Sequence, residues 1–199
     1  MFQFTDILKN YLTRDAVKSL ATKIGASDKE TEWAIETVNT LVLAFLSKKT
    51  LALQNATALS KVLDRNHDGA IADDIKTFVE NLAQGKIDVE EGKEIVEDIF
   101  TDHRQEVLQL VCTATGLTVN AATTVLLTIT PLVVKTIAEE QKKGNWTVKD
   151  LGSKLGEVTK ISNNALSKKL LQILDKDNNG KVTDDLWRGA KGLFQKVVA

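Results

Sequence analysis

Residues Leu63–Ile75 read LDRNHDGAIADDI, and residues Leu174–Leu186 read LDKDNNGKVTDDL. Both fit one template: Leu, Asp, any residue, Asn or Asp, any, Asp or Asn, Gly, any, Ile or Val, any, Asp, Asp, and a final aliphatic. Counted from the first Asp, oxygen-bearing side chains stand at positions one, three and five, Gly at six and a β-branched aliphatic at eight. This is the first half of an EF-hand calcium loop, in which alternating short side chains converge on one ion. Gly at six permits the sharp turn that bends the backbone around it. The second half departs from the pattern. An EF-hand closes with a bidentate Glu at position twelve, but that position is Ile75 in one copy and Leu186 in the other. Carboxylates come one and two residues early instead.

The candidate ligands are Asp64, Asn66, Asp68 and the carbonyl of Ala70 in the first loop, closed by Asp73 or Asp74. In the second they are Asp175, Asp177, Asn179 and the carbonyl of Lys181, closed by Asp184 or Asp185. Asp is one methylene shorter than Glu. A strained or monodentate closure completed by water follows, with affinity on the order of 10⁻⁵ to 10⁻³ M. The competing reading needs no ion. Asp/Asn-rich turns with Gly also join helices, and paired Asp residues favour the positive end of the helix that follows. Two copies sharing one departure, each flanked by apolar helical patterns, favour calcium as the cofactor. If the loops pair as in an EF-hand pair, Ile71 and Val182 at position eight lie side by side.

The flanking chain is helical throughout. It has one Pro, at 131, and no sustained alternation of apolar and polar residues. Phe4 to Leu12 suggests a short first helix. Thr13 or Asp15 can cap a second, which Gly25 stops. Ser27 to Glu30 is a capping box opening a helix through Trp33, Val38 and Phe45, and Lys48 and Lys49 suit its end. A further helix from about Leu51 leads into the first loop. The helix leaving the loop carries Ile75, Phe78, Val79 and Leu82 and stops near Gly85. Asp88 with Glu91, and then Asp102, are expected to cap the next two helices. Gly116 ends the second of these, and Thr118 opens a long apolar helix that Pro131 should kink. Gly144, Asn145 and Trp146 are expected to make a turn, Thr147 caps another helix, and Ser162 or Asn163 caps the helix entering the second loop.

The duplication extends beyond the loops. An offset of 91 carries Gly25 to Gly116, Ile35 to Leu126, Val38 to Ile129 and Leu41 to Leu132, while the loops themselves are offset by 111. The second copy thus carries extra residues, around Lys142 to Asn163. The expected fold is all-α: a compact multi-helix globule from two related halves, residues 1–85 and 86–199, integrated into one body.

Composition narrows the function classes. The chain of 199 residues carries a formal net charge of −1 and is 43% hydrophobic, as ordinary soluble proteins are. No basic block and few aromatics argue against nucleic acid as a partner. The N-terminal MFQFTDILKNYLTRD lacks the pattern of a signal peptide, and the lone Cys112 reads as a small buried residue, so a cytoplasmic setting is expected. Gly116 to Val134 approaches membrane-spanning length, but Asn120, several Thr and Pro131 read better as a helix buried in protein than as a membrane span. An enzyme reading finds little. The two His are His67, at a non-ligand loop position, and His103 at a helix start. No Gly-rich phosphate loop and no His pair at zinc spacing occurs. The acids Glu90, Glu91, Glu94, Glu97 and Asp98 read as a solvated helix face. Two readings lead: a non-enzymatic calcium-binding helical protein, structural or regulatory, and a metal-free helical module for a protein partner or a second copy of itself.

One segment pattern resembles a known family. ATKIGASDKETEWAIETVNTLVLAFL is followed by the first acidic run, then by EIVEDIFTDHRQEVLQLVCTATGLTVNAATTVLLTITPLVV. The Ile99, Phe100 and His103 segment, the Thr115–Leu117 triplet and the apolar run with Pro131 resemble the bacterial family labelled domain of unknown function 937, the YidB-like proteins. The likeness covers about Phe2 to Lys142. It implies an all-helical fold and hands over no catalytic residues, and the second acidic loop lies outside it.

Overall fold

The computed structural model describes residues 8–9, 11–52, 75–86 and 89–158. Seven α-helices are present among them: α1 Arg14–Ile24, α2 Asp28–Ala52, α3 Ile75–Ala83, α4 Glu90–Phe100, α5 Arg104–Thr115, α6 Val119–Gly144 and α7 Val148–Val158. A 3₁₀ turn, Thr101–His103, joins α4 to α5. No strand occurs among the described residues. The all-α expectation holds.

Two long helices occupy the centre, and the reason is in their composition. Residues 41–46 of α2, LVLAFL, are six consecutive apolar residues and all six are buried. In α6 every residue from Val125 to Ala138 is buried. A helix that is apolar on all sides has no face to give to water and is stable only when surrounded. The shorter helices supply the surround. Each carries one apolar stripe: Val17, Leu20 and Ala21 on α1; Ile75, Val79 and Leu82 on α3; Ile95, Val96, Ile99 and Phe100 on α4. α2 and α6 pack on each other, α4 and α5 pack on both, α7 packs on α2, and α3 packs on α1 and α6. On α3 the spacing 75, 79, 82 is one helical face. Burying those three aliphatic side chains contributes roughly 1.5–3 kcal/mol each.

The helix ends follow local chemistry. Thr13 Oγ1 accepts from the Ala16 amide, 3.2 Å, and caps α1. The Ser27 hydroxyl accepts from the Glu30 amide at 3.2 Å, while the Glu30 carboxylate accepts from the Ser27 amide at 2.8 Å, completing the capping box of α2. Thr118 Oγ1 caps α6 at the Ala121 amide. Thr147 and Asp150 repeat the reciprocal arrangement at α7. Gly25 and Gly116 both sit in the left-handed region, φ 67° and 75°, and each is followed two residues on by a hydroxyl cap and a long buried helix. Asn145 adopts the same conformation, φ 50°, before the third such turn.

Two expectations are corrected. α2 does not end at Lys48 and Lys49 but runs on to Ala52, because a basic pair favours a helix end without forcing one. α4 begins at Glu90 behind Val89, which offers no side-chain cap; Asp88, expected to cap it, lies outside the described residues. α5 begins at Arg104, behind His103, with no side-chain cap bond; Asp102 falls inside the 3₁₀ turn instead. Pro131 lies within the continuous helix Val119–Gly144.

Candidate metal centre

Eleven of the twelve positions in the first acidic loop, Asp64 through Asp74, lie outside the described residues, as does the whole second loop, Asp175 through Leu186. So do Ile71 and Val182. Position twelve of the first loop is described. Ile75 is the first residue of α3 and only 1% exposed. The side chain that would close an EF-hand around the ion is thus an aliphatic anchor in the hydrophobic core. Among the described residues, no group of three or more His, Cys, Asp or Glu side chains could hold a metal ion.

The remaining polar features among the described residues are structural in character. The His103 ring stands 6.2 Å from the Phe45 ring, and Phe45 meets Phe100 edge-on at 4.9 Å, so His103 flanks an aromatic cluster. Cys112 is half-buried on α5, rather than fully buried, and burial pushes its thiol pKa up. That makes it a poor nucleophile at neutral pH. Tyr11 donates to Glu140 at 2.9 Å, and the Lys143 ammonium donates to both Tyr11 Oη and Glu140 at 3.2 Å. This clasp ties the segment before α1 to the end of α6. Burial, the largest effect, pushes the Tyr11 phenol pKa up. A cleft of about 330 Å³ lies between Leu8, Leu12, Val17 and Ile35, with Glu32 and Glu36 on its α2 side.

Two backbone contacts escaped the sequence reading. Trp33 on α2 donates its indole N–H to the Ala114 carbonyl at 2.7 Å, satisfying an acceptor in the last turn of α5. Gly92 on α4 lies against the Leu127 carbonyl of α6: a Cβ there would collide with the carbonyl oxygen and stand 2.8 Å from its carbon. Pro131 explains why that oxygen is available. It lacks the N–H that would bond the carbonyl four residues back, which is Leu127. A Cα hydrogen of Gly92 faces the orphaned acceptor in its place, a weak but recurring helix–helix contact.

The long apolar helix settles into protein. Val119–Gly144 is long and apolar enough to cross a membrane, yet 89% of its most apolar window is buried among the other helices. The described residues define a helical protein whose two central helices are sheathed by shorter amphipathic ones. The chain belongs to the family described as bacterial protein of unknown function, domain of unknown function 937, which matches residues 6–140. No curated protein and no solved structure matches it.

Proposed function

We propose that this chain is a non-enzymatic helical protein that binds calcium weakly through its two acidic loops. The observation that carries this reading is the repetition: DRNHDG and DKDNNG recur with the same aliphatic at position eight and the same early paired Asp. A turn serving only to join helices requires no such recurrence of oxygens at alternate positions. The alternative, a metal-free interaction module, explains the same turns through helix capping alone.

The expected affinity, on the order of 10⁻⁵ to 10⁻³ M, gives a modest linkage. At 1 mM calcium a site in that range stabilises the folded state by about 0.4–2.7 kcal/mol. Calorimetric titration with calcium chloride decides between the readings. Heat that saturates in the expected range, with Asp64→Ala removing one of two binding events, supports calcium. A flat titration up to 10 times the weakest expected dissociation constant, roughly 10⁻² M, leaves the metal-free module.

A further inference from the structure

We propose that the cleft between α2 and the segment entering α1 binds a small organic cation, an aliphatic body carrying one ammonium group. Its apolar part comes from both sides. Leu8, Val17 and Ile35 line it and are 4%, 9% and 5% exposed, and half-buried Leu12 adds to the same surface. Its polar part is one stripe of α2. Glu32, Glu36 and Asn39 follow each other at spacings of four and three residues, which sets them on one helical face. Exposure falls along that stripe: Glu32 is exposed, Glu36 half-buried, and Asn39 only 3% exposed. Neighbours at this spacing stand about 5–6 Å apart at Cβ, so one ammonium can reach both carboxylates. Lys9 contributes the single positive charge of the lining, and the two carboxylates leave it net negative.

These features select one ligand chemistry. A bare metal ion gains nothing from the aliphatic wall, a neutral hydrocarbon leaves the carboxylates unused, and an anion meets the wrong charge. An aliphatic ammonium uses both parts at once. The size selects a small molecule over a protein. The cleft holds about 330 Å³, within the range of roughly 300–1,000 Å³ typical of small-ligand sites. Eight residues line it, against about 20–30 on one side of a stable protein interface. The walls are set before a ligand arrives. The Leu12 amide donates to the Leu8 carbonyl at 2.8 Å, Thr13 caps α1, and Tyr11 is held to Glu140.

None of these residues belongs to the acidic loops, and the test keeps calcium out with EDTA. Hexylammonium chloride is titrated into the full chain, and the methyl NMR signals of Leu8, Leu12, Val17 and Ile35 are followed. Hexanol serves as the neutral isostere and hexanoate as the anion. Saturating shifts at these methyls are expected, with hexylammonium preferred over hexanol by on the order of fivefold, as a partly exposed ion pair provides. Added salt should shrink that preference, and hexanoate should bind least. The double variant Glu32→Gln, Glu36→Gln should bind hexylammonium and hexanol alike; because hexanol binding is retained, a loss of folding is told apart from a loss of charge recognition. Equal binding of hexanol and hexylammonium by the native chain, or a preference that survives in the double variant, overturns the cation. Methyl signals that do not move with any of the three probes overturn the site. A lysine-containing peptide that binds tenfold tighter than hexylammonium overturns the small-ligand assignment.

Discussion

At the scale of single residues, Gly92 on α4 stands with its backbone directly against the Leu127 carbonyl of α6. Gly in a helix interior costs about 1 kcal/mol against Ala, so propensity alone predicts that Gly92→Ala stabilises the protein. The Leu127 carbonyl fills the space that a methyl would need, and carbonyl backbone does not yield as a flexible side-chain tip would. Gly92→Ala should therefore destabilise, by roughly 1–3 kcal/mol in urea unfolding, the usual range for overpacking. A gain in stability would mean that α4 and α6 are farther apart than the structure places them. Glu30 gives a second prediction. The Ser27 hydroxyl first, and the Ser27 amide second, hold its carboxyl pKa below the usual value. A group depressed in the folded state lends stability that is complete above its unfolded pKa and is lost as pH falls through the folded one. The first turn of α2 should fray as the pH drops below about 4. Carboxyl titration by NMR should show the low value in the native chain and a more ordinary one in Ser27→Ala.

At the scale of elements, the capping chemistry was legible and the charge signals were not. Ser27, Thr118 and Thr147 announce their helices because a hydroxyl at the cap answers a specific orphan amide. Lys48–Lys49 and Asp102 misled because a charge near a helix end adds only about 0.3–1 kcal/mol, less than one more turn of packing provides. Of the candidate site, the sequence showed its main departure, an aliphatic at position twelve. The burial of Ile75 could not be seen from the loop pattern, because it depends on α1 and α6, far along the chain. The Trp33 contact is equally non-local. Trp33→Phe keeps an aromatic ring, though a smaller one, and removes the donor, leaving the Ala114 carbonyl without its indole partner. We expect a loss of about 1–3 kcal/mol, seen as a lower unfolding midpoint. If α5 amides exchange no faster in that variant, the indole bond does not hold the end of α5.

At the scale of the whole molecule, the two central helices bind the chain's early and late portions together. α2 depends on α4, α5, α6 and α7 for its cover, all of which follow residue 85. A fragment of residues 1–85 alone should lack a cooperative thermal transition by circular dichroism, whatever its helix content. A sharp transition would mean that this part holds a core of its own. The same dependence sets a hazard during synthesis. The apolar run at residues 41–46 leaves the ribosome well before residues 119–144 exist to sheathe it. At 5–20 residues per second, that interval of about 90 residues lasts on the order of 5–20 s. For that time the nascent chain presents to the cell a hydrophobic helix whose central partner has not yet been made.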